Sequence, residues 1–238
     1  MTTMVGPLRY MQQNVLTLVG LSPDRTSHET KMIKAILFDA FGTLAEIAER
    51  RRPYAKLLSL ADTESRPTDA DYAAIVMGRD WKIHEITDWL GVTQTQAQEA
   101  GVFEGLATEL LSMSLFPETA EILAHLRACG LKLGICSNLA QPYAAPLRSL
   151  LPIEMDEYVW SFEVGAIKPD PIIYQAACDA LKVKPEEILM VGDTYNADCL
   201  GPRRFGMQAV HLARVGHSPD RTFLKSLSDL HTLLAARG

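Results

Sequence analysis

Short apolar runs alternate with helix-like segments along most of this chain, and this alternation constrains its fold more than any other feature. Strand-like apolar runs occur at residues 35–38, 131–136, 158–162, 188–191 and 208–212. Segments with apolar residues at helical spacing lie at 118–128, 142–150, 171–182, 196–205 and 223–235. Apolar strands that alternate with helices form a parallel sheet that is covered on both faces. The sequence therefore predicts an α/β fold.

A helix-rich block interrupts this rhythm after the first strand. Residues 46–60, 69–80, 82–90 and 97–113 have apolar residues at helical spacing, and together they are longer than an ordinary connection. We predict an inserted all-helical domain over residues 45–115, with residues 32–44 and 116–238 forming the α/β core. Ligands bind beyond the carboxyl ends of the strands in such sheets, so this insertion is expected to cover the binding site.

Composition and charge limit the partners and the cellular location that we expect for the protein. Hydrophobic residues make up 47% and charged residues 22%, as in ordinary globular proteins, and the net charge of −6 argues against a nucleic-acid partner. No apolar run approaches the roughly 18 residues that a membrane span needs, and no signal-peptide pattern is evident. We expect a cytoplasmic protein with no membrane partner. Residues 1–31 show no sustained period and are interpreted as a poorly ordered N-terminal extension.

Polar residues follow four of the predicted strands at the points where the strands end. Because the carboxyl ends of parallel strands meet at one edge of a sheet, we expect these residues to lie close together. They offer carboxylates, a hydroxyl, an ammonium group and backbone N–H groups at the starts of helices. The residues are Asp39 after the first strand, Ser137 and Asn138 after the second, Lys168 after the third, and Asp193 and Asp198 after the fourth.

The expected carboxylate cluster indicates a metal-assisted reaction. Carboxylates that share one point repel one another unless a cation or a proton intervenes. Oxygen-only ligands suit Mg²⁺, which favours carboxylates, carbonyls and water. With its charge offset, Asp39 could attack an anionic phosphoryl group, and Lys168 and Ser137 could hold the phosphate oxygens.

Four ordered segments resemble the motifs of the haloacid dehalogenase-like superfamily. They are Asp39-Ala40-Phe41-Gly42-Thr43-Leu44, Ser137-Asn138, Lys168-Pro169, and Gly192-Asp193 with Asp198. The resemblance spans residues 35 to about 213, and the order of the four segments is more specific than any one of them. It implies a Rossmann-like core and a helical cap inserted after the first motif.

The resemblance also implies a role for each motif residue. Asp39 would be the nucleophile, with Ser137 and Lys168 stabilising the phosphate or the intermediate. Mg²⁺ would be held by Asp39, the backbone carbonyl of Phe41 and Asp193. Asp198 would order the loop or reach the metal through water. The remaining motif residues, assigned here to substrate binding, are Gly42, Thr43 and Asn138.

Phe41 departs from the pattern of most phosphatases in the superfamily, which carry an aspartate two residues after the nucleophile. Phenylalanine cannot transfer a proton, so acid–base help worth about 10²–10⁴-fold must come from elsewhere or be absent. A phosphatase of this kind could act on esters with good leaving groups or take its proton from a donor in the predicted cap, with His84 as one candidate. Alternatively, the leaving group needs no proton, as in a dehalogenase, or the protein binds its ligand with little turnover.

The fourth motif favours the first of these hypotheses. Metal-independent dehalogenases that resemble this chain generally lack the Gly-Asp pair, whereas this chain has Gly192-Asp193 together with Asp198. We therefore predict a Mg²⁺-dependent phosphatase of a small phosphorylated metabolite. Two alternatives stay open: a 2-haloacid dehalogenase that uses Asp39 without metal, and a catalytically weak binding or regulatory module.

Overall fold

The computed structural model describes residues 32–64 and 66–235. The strands are β1 (Ala35–Phe38), β2 (Ala45–Ile47), β3 (Met113–Leu115), β4 (Lys132–Ser137), β5 (Glu157–Trp160), β6 (Ile188–Gly192) and β7 (Gln208–His211). The helices are α1 (Pro53–Leu60), α2 (Asp69–Gly78), α3 (Ile83–Trp89), α4 (Gln94–Glu99), α5 (Val102–Leu111), α6 (Thr119–Ala128), α7 (Ala144–Leu150), α8 (Ser161–Val164), α9 (Pro171–Leu181), α10 (Gly201–Phe205) and α11 (Leu230–Ala235).

The central sheet has five parallel strands in the order β5-β4-β1-β6-β7. The middle strand, β1, is completely buried, since β4 and β6 flank it and apolar clusters cover both of its faces. Phe38 at its end is in register with Ile135 of β4 and Val191 of β6, so the three strands reach the same edge together. The predicted α/β, Rossmann-like fold is confirmed.

An antiparallel ribbon of β2 and β3 connects the core to five helices, α1–α5. Residues 53–111, which contain these helices, are called the helical insertion below. The ribbon pairs Ala45 with Leu115 and Ile47 with Met113. The prediction of one helix over 46–60 was wrong at its start, because residues 45–47 pair as a strand and α1 begins at Pro53.

Two further helix predictions need correction. The segment 97–113 is not one helix, because Gly101 adopts a left-handed conformation with φ of 68° between α4 and α5. Residues 223–235 are helical only from Leu227 onward, because Leu224 bridges to Leu212 in an extended conformation before Ser226 caps the turn that follows. The segment 196–205 is helical as predicted, although its first part belongs to a π-helical turn, Tyr195–Leu200, that precedes α10.

The predicted N-terminal extension, residues 1–31, lies outside the described residues. Within residues 32–64 and 66–235, every helix is too short or too polar to cross a bilayer.

Candidate active site

Asp39 lies at the centre of the carboxyl edge of the sheet. Its backbone N–H donates to the Val191 carbonyl at 2.9 Å and so continues the β1–β6 pairing by one residue. The residue is 8% exposed, and Oδ1 accepts hydrogen bonds from Ser137 Oγ at 3.0 Å and Lys168 Nζ at 2.8 Å. No described residue donates a hydrogen bond to Oδ2. The carboxylate is therefore oriented through one oxygen and has the other available.

Lys168 links the acidic groups of the site. Its buried ammonium group donates to Asp39 Oδ1, to Asp198 Oδ1 at 2.7 Å and to the Cys136 carbonyl at 2.7 Å. These three bonds use all three ammonium protons. Burial alone would lower the pKa of Lys168, but the carboxylates of Asp198 and Asp39 outweigh it and raise that pKa above its ordinary value. The ammonium group therefore stays charged and fixed.

Asp198 is fully buried and both of its carboxylate oxygens are engaged. Oδ1 accepts from Lys168, and Oδ2 accepts from the backbone N–H of Thr194 at 2.8 Å. Gly192 makes this arrangement possible, because a Cβ there would lie 2.3 Å from Asp198 Cγ. These contacts support the loop-ordering role considered for Asp198, and its direct contact with a metal stays a prediction.

Asp193 differs from Asp198 in having a free carboxylate. The residue is exposed, and no other described residue forms a hydrogen bond or an ion pair with its side chain. Partial burial against its neighbours and the negative charge of Asp39 raise its pKa. Gly42 lies directly against it with φ of 89°, and a Cβ there would lie 2.3 Å from Asp193 Oδ2. His211 Nε2 lies 2.9 Å from the Asp193 carbonyl and donates to it, which fixes the backbone of this residue.

The carboxylates of Asp39, Asp193 and Asp198 each offer an oxygen, and these oxygens lie within 4.8 Å of one another. Three acidic groups this close, with one ammonium group among them, leave an excess of negative charge. A hard divalent cation such as Mg²⁺ fits this oxygen-only set. The free oxygens are on Asp39 and Asp193, so these two residues are the best candidates for direct ligands. The contribution of the Phe41 carbonyl stays a prediction.

The three residues assigned to substrate binding have different surroundings. Asn138 clamps the backbone of Lys168, since Nδ2 donates to its carbonyl at 2.9 Å and Oδ1 accepts from its N–H at 2.7 Å. Thr43 is completely buried, and its hydroxyl has no hydrogen-bond partner among the described residues. Gly42 contacts Asp193, as above. Contact of all three with substrate stays a prediction.

Arg214, which no sequence motif indicated, holds the loop that follows Asp39. Nε donates to the Gly42 carbonyl at 3.0 Å and Nη2 to the Thr43 carbonyl at 2.7 Å. Nη1 pairs with Glu118 at 2.7 Å, and the guanidinium lies 3.6 Å from the ring centroid of Phe116. One indication of this role lay in the sequence. Arg214 follows the last strand of the sheet by a few residues, which places it at the same edge as Asp39.

Arg214→Leu is expected to lower the free energy of unfolding by about 2 kcal/mol, because two loop carbonyls and Glu118 lose a charged donor. Arg214→Lys should recover little of this, since an ammonium group cannot reproduce the planar fork. Urea unfolding measures the difference, with Arg204→Leu on the exposed surface of α10 as the control. Equal midpoints for the Arg214 and Arg204 variants would contradict the anchoring role.

A cavity of about 620 Å³ adjoins the site, between the sheet edge and the helical insertion. Phe41 and Asn138 form its wall next to Asp39, and the Phe41 ring packs edge-on against Tyr143 with centroids 5.9 Å apart. Most of the wall is apolar or aromatic and includes Tyr54, Leu58, Tyr72 and Val76. His84, the candidate proton donor, is exposed on α3 and does not line this cavity.

The fold and the site together define a class of hydrolase with an α/β core. Its parallel sheet brings an aspartate, a serine and a lysine together at the carboxyl edge. The family model of haloacid dehalogenase-like hydrolases matches residues 33–206. The chain belongs to this family, and the resemblance found in its four motifs is confirmed.

Relatives in this family include both dehalogenases and phosphatases. The chain is 30% identical over 223 residues to (S)-2-haloacid dehalogenase 4A of Burkholderia cepacia, covering 85% of this chain and 95% of that one. It is 30% identical over 176 residues to phosphoglycolate phosphatase of Rhodospirillum rubrum, covering 68% and 73%. The crystal structure of 2-haloacid dehalogenase from Pseudomonas syringae pv. Tomato DC3000 matches with a TM-score of 0.59 at 24% identity, covering 87% and 100%.

Proposed function

We propose that this hydrolase cleaves a phosphate ester of a small organic molecule through an aspartyl-phosphate on Asp39, with Mg²⁺ as cofactor. The observation that carries the proposal is the free carboxylate of Asp193 beside the free oxygen of Asp39. Two carboxylates that lie this close, each with an oxygen left unpaired by the described residues, favour a cation between them. Partial burial and the negative charge of Asp39 already raise the pKa of Asp193, and a divalent cation between the two carboxylates would relieve their repulsion.

The residues of the site define the steps. Ser137 and Lys168 hold Asp39 Oδ1, which leaves Oδ2 to attack phosphorus in line with the leaving oxygen. The bond from phosphorus to the leaving oxygen breaks, and that oxygen takes a proton from water, because Phe41 has none to give. Water then attacks the phosphorus of the aspartyl-phosphate, which releases phosphate and regenerates Asp39. Mg²⁺ held by Asp39 and Asp193 would offset the negative charge of the reacting groups.

The helical insertion would act as the cap over this site. It leaves and rejoins the core through the β2–β3 ribbon, and its helices α1 and α2 form the far wall of the cavity beside Asp39. A cap in this position excludes bulk water and strengthens the electrostatic interactions of the site. Because the chain enters and leaves the helical insertion through this one ribbon, the insertion could open and close over the site as a unit.

Hydrolytic dehalogenation of a 2-haloacid is the second candidate, and the side chain of Phe41 favours it. An apolar ring beside the nucleophile matches a halide leaving group, which departs with the bonding electrons and needs no proton. Asp39 would displace the halide at carbon, and water would hydrolyse the resulting ester. The (S)-2-haloacid dehalogenase of Burkholderia cepacia is related along 95% of its length.

Activity with and without metal separates the candidates. Phosphate release from a panel of phosphomonoesters and halide release from 2-chloropropionate are measured in Mg²⁺ and in EDTA. We expect phosphate release that EDTA abolishes and that Asp193→Asn lowers by about 100-fold, because about 2.7 kcal/mol of charge stabilisation is lost. Asp80→Asn, an exposed aspartate in the helical insertion, is the control.

Two results would contradict the proposal. Halide release that neither EDTA nor Asp193→Asn affects would support the dehalogenase instead. Absence of both activities, with ligand binding retained, would support a binding or regulatory module.

A further inference from the structure

We infer that the substrate of this enzyme carries a substantial apolar organic group, which fills the cavity beside Asp39, and a hydrogen-bond acceptor on that group, which binds the hydroxyl of Tyr54. The inference rests on the proposed function for the reacting head group alone. It concerns the part of the substrate that does not react.

The size of the cavity is the first reason. A volume of about 620 Å³ lies within the range of pockets that hold drug-sized ligands. The names of the relatives describe much smaller and more polar substrates, such as phosphoglycolate and 2-haloacids. A ligand of that size would leave most of this cavity filled with water against an apolar wall.

The wall itself is the second reason. On the core side its apolar part includes Phe41, Leu139, Ala140 and the ring of Tyr143, and Asn138 adds a polar group. The opposite side comes from α1 and α2 of the helical insertion and contributes further apolar side chains, including Leu58, Val76 and Met77. Arg66 and Asp69, both exposed, supply charge at this wall. Replacing water on these surfaces with hydrocarbon stabilises a bound ligand in proportion to the apolar area buried.

The hydroxyl groups of the three wall tyrosines are the third reason. Tyr72 donates to the Tyr54 carbonyl at 3.0 Å, and Tyr143 donates to the buried carboxylate of Glu109 at 2.5 Å. The Tyr54 hydroxyl is buried and has no partner among the described residues. A buried hydroxyl without a partner is costly, so such a group marks a place where a ligand atom belongs.

Tyr54 is suited to donate rather than accept. Burial, and then the neighbouring Tyr72 and Glu109, raise the pKa of its hydroxyl above the ordinary value, so the proton stays in place. Its ring is held 6.2 Å from that of Tyr143, centroid to centroid, in a tilted arrangement. An ether, carbonyl or hydroxyl oxygen on the apolar group of the substrate is the acceptor that this donor selects.

Binding of phosphonates to the full-length protein tests the inference without turnover, because a phosphonate has no ester bond to cleave. Calorimetry compares methyl-, butyl- and hexylphosphonate in the presence of Mg²⁺. We expect the affinity to rise by about fourfold per methylene group. Ala73→Phe, which narrows the cavity from α2, should remove most of this gain, whereas Ala70→Phe, at an exposed position of the same helix, should leave it unchanged.

Tyr54→Phe tests the acceptor. The ligands are hexylphosphonate and a series of its derivatives, each of which carries one ketone at a different carbon of the alkyl chain. We expect at least one ketone to bind the natural protein about tenfold more tightly than hexylphosphonate does. The Tyr54→Phe variant should bind that ketone and hexylphosphonate with equal affinity. Equal affinities for all ketones and hexylphosphonate in both proteins would overturn the role of Tyr54.

A parallel series of alkanoates, from acetate to octanoate, separates this inference from the proposed function. A chain-length gradient with alkanoates but not with phosphonates would support the apolar cavity while contradicting the phosphate head group. Flat affinities in both series, with metal-dependent phosphate release intact, would overturn the inference and leave the proposed function standing.

Discussion

Asp39→Asn is expected to abolish turnover, with a loss of about 10⁴-fold or more, because an amide oxygen cannot act as the nucleophile. The fold should persist. Asparagine keeps the volume of aspartate, and its amide oxygen can still accept from Ser137 and Lys168. The remaining ion pair of Lys168 with Asp198 is then neutral, whereas the natural cluster of Asp39, Asp198 and Lys168 carries one excess negative charge.

Steady-state rates and the thermal midpoint of the same preparations test this expectation. Asp179→Asn, on the exposed side of α9, is the matched control and should have the natural rate. Mass spectrometry adds a second readout, since rapid quenching should trap a covalent adduct on the natural protein and none on Asp39→Asn. An Asp39→Asn enzyme that keeps its rate would show that another group attacks the substrate.

The sequence allowed the sheet and the polar edge to be predicted because both depend on local pattern. The run Ala35–Phe38 is apolar at every position and is followed by Asp39, which predicts a buried strand with a polar end. Parallel pairing then brings the segments that contain Ser137, Lys168 and Asp198 toward that end. The contacts of Lys168 with both carboxylates depend in addition on the loop after α8, which Asn138 holds through the backbone of Lys168.

Features that depend on distant contacts could not be predicted in this way. The strands β2 and β3 have three residues each, too few to show a period, and they form because Ala45 and Leu115 meet across the helical insertion. In the sequence, Glu109 has no feature that distinguishes it from other residues of a helix. Its carboxylate nevertheless accepts hydrogen bonds from the backbone N–H groups of Arg51 and Arg52 and from the hydroxyl of Tyr143. Such partners are separated by tens of residues and have no spacing rule.

Lys168→Met is expected to destabilise the protein by about 3–5 kcal/mol, because it leaves the buried carboxylates of Asp39 and Asp198 without a counter-ion. Methionine has nearly the length of lysine, so loss of volume explains little of the effect. Lys34→Met is the control. Its ammonium group pairs with Glu187 at 2.7 Å, but the side chain is 54% exposed. Removing such an exposed pair should cost less than about 1 kcal/mol.

A second substitution identifies the electrostatic origin of this loss. In Lys168→Met/Asp198→Asn one of the two buried negative charges is gone, so the double variant should be more stable than Lys168→Met alone, although each change removes a native contact. Mg²⁺ should also stabilise Lys168→Met more than it stabilises the natural protein, because the cation then meets uncompensated charge. Urea unfolding with and without Mg²⁺ measures both effects. If Lys168→Met unfolds at the same urea concentration as Lys34→Met, the lysine does not hold the acidic cluster together.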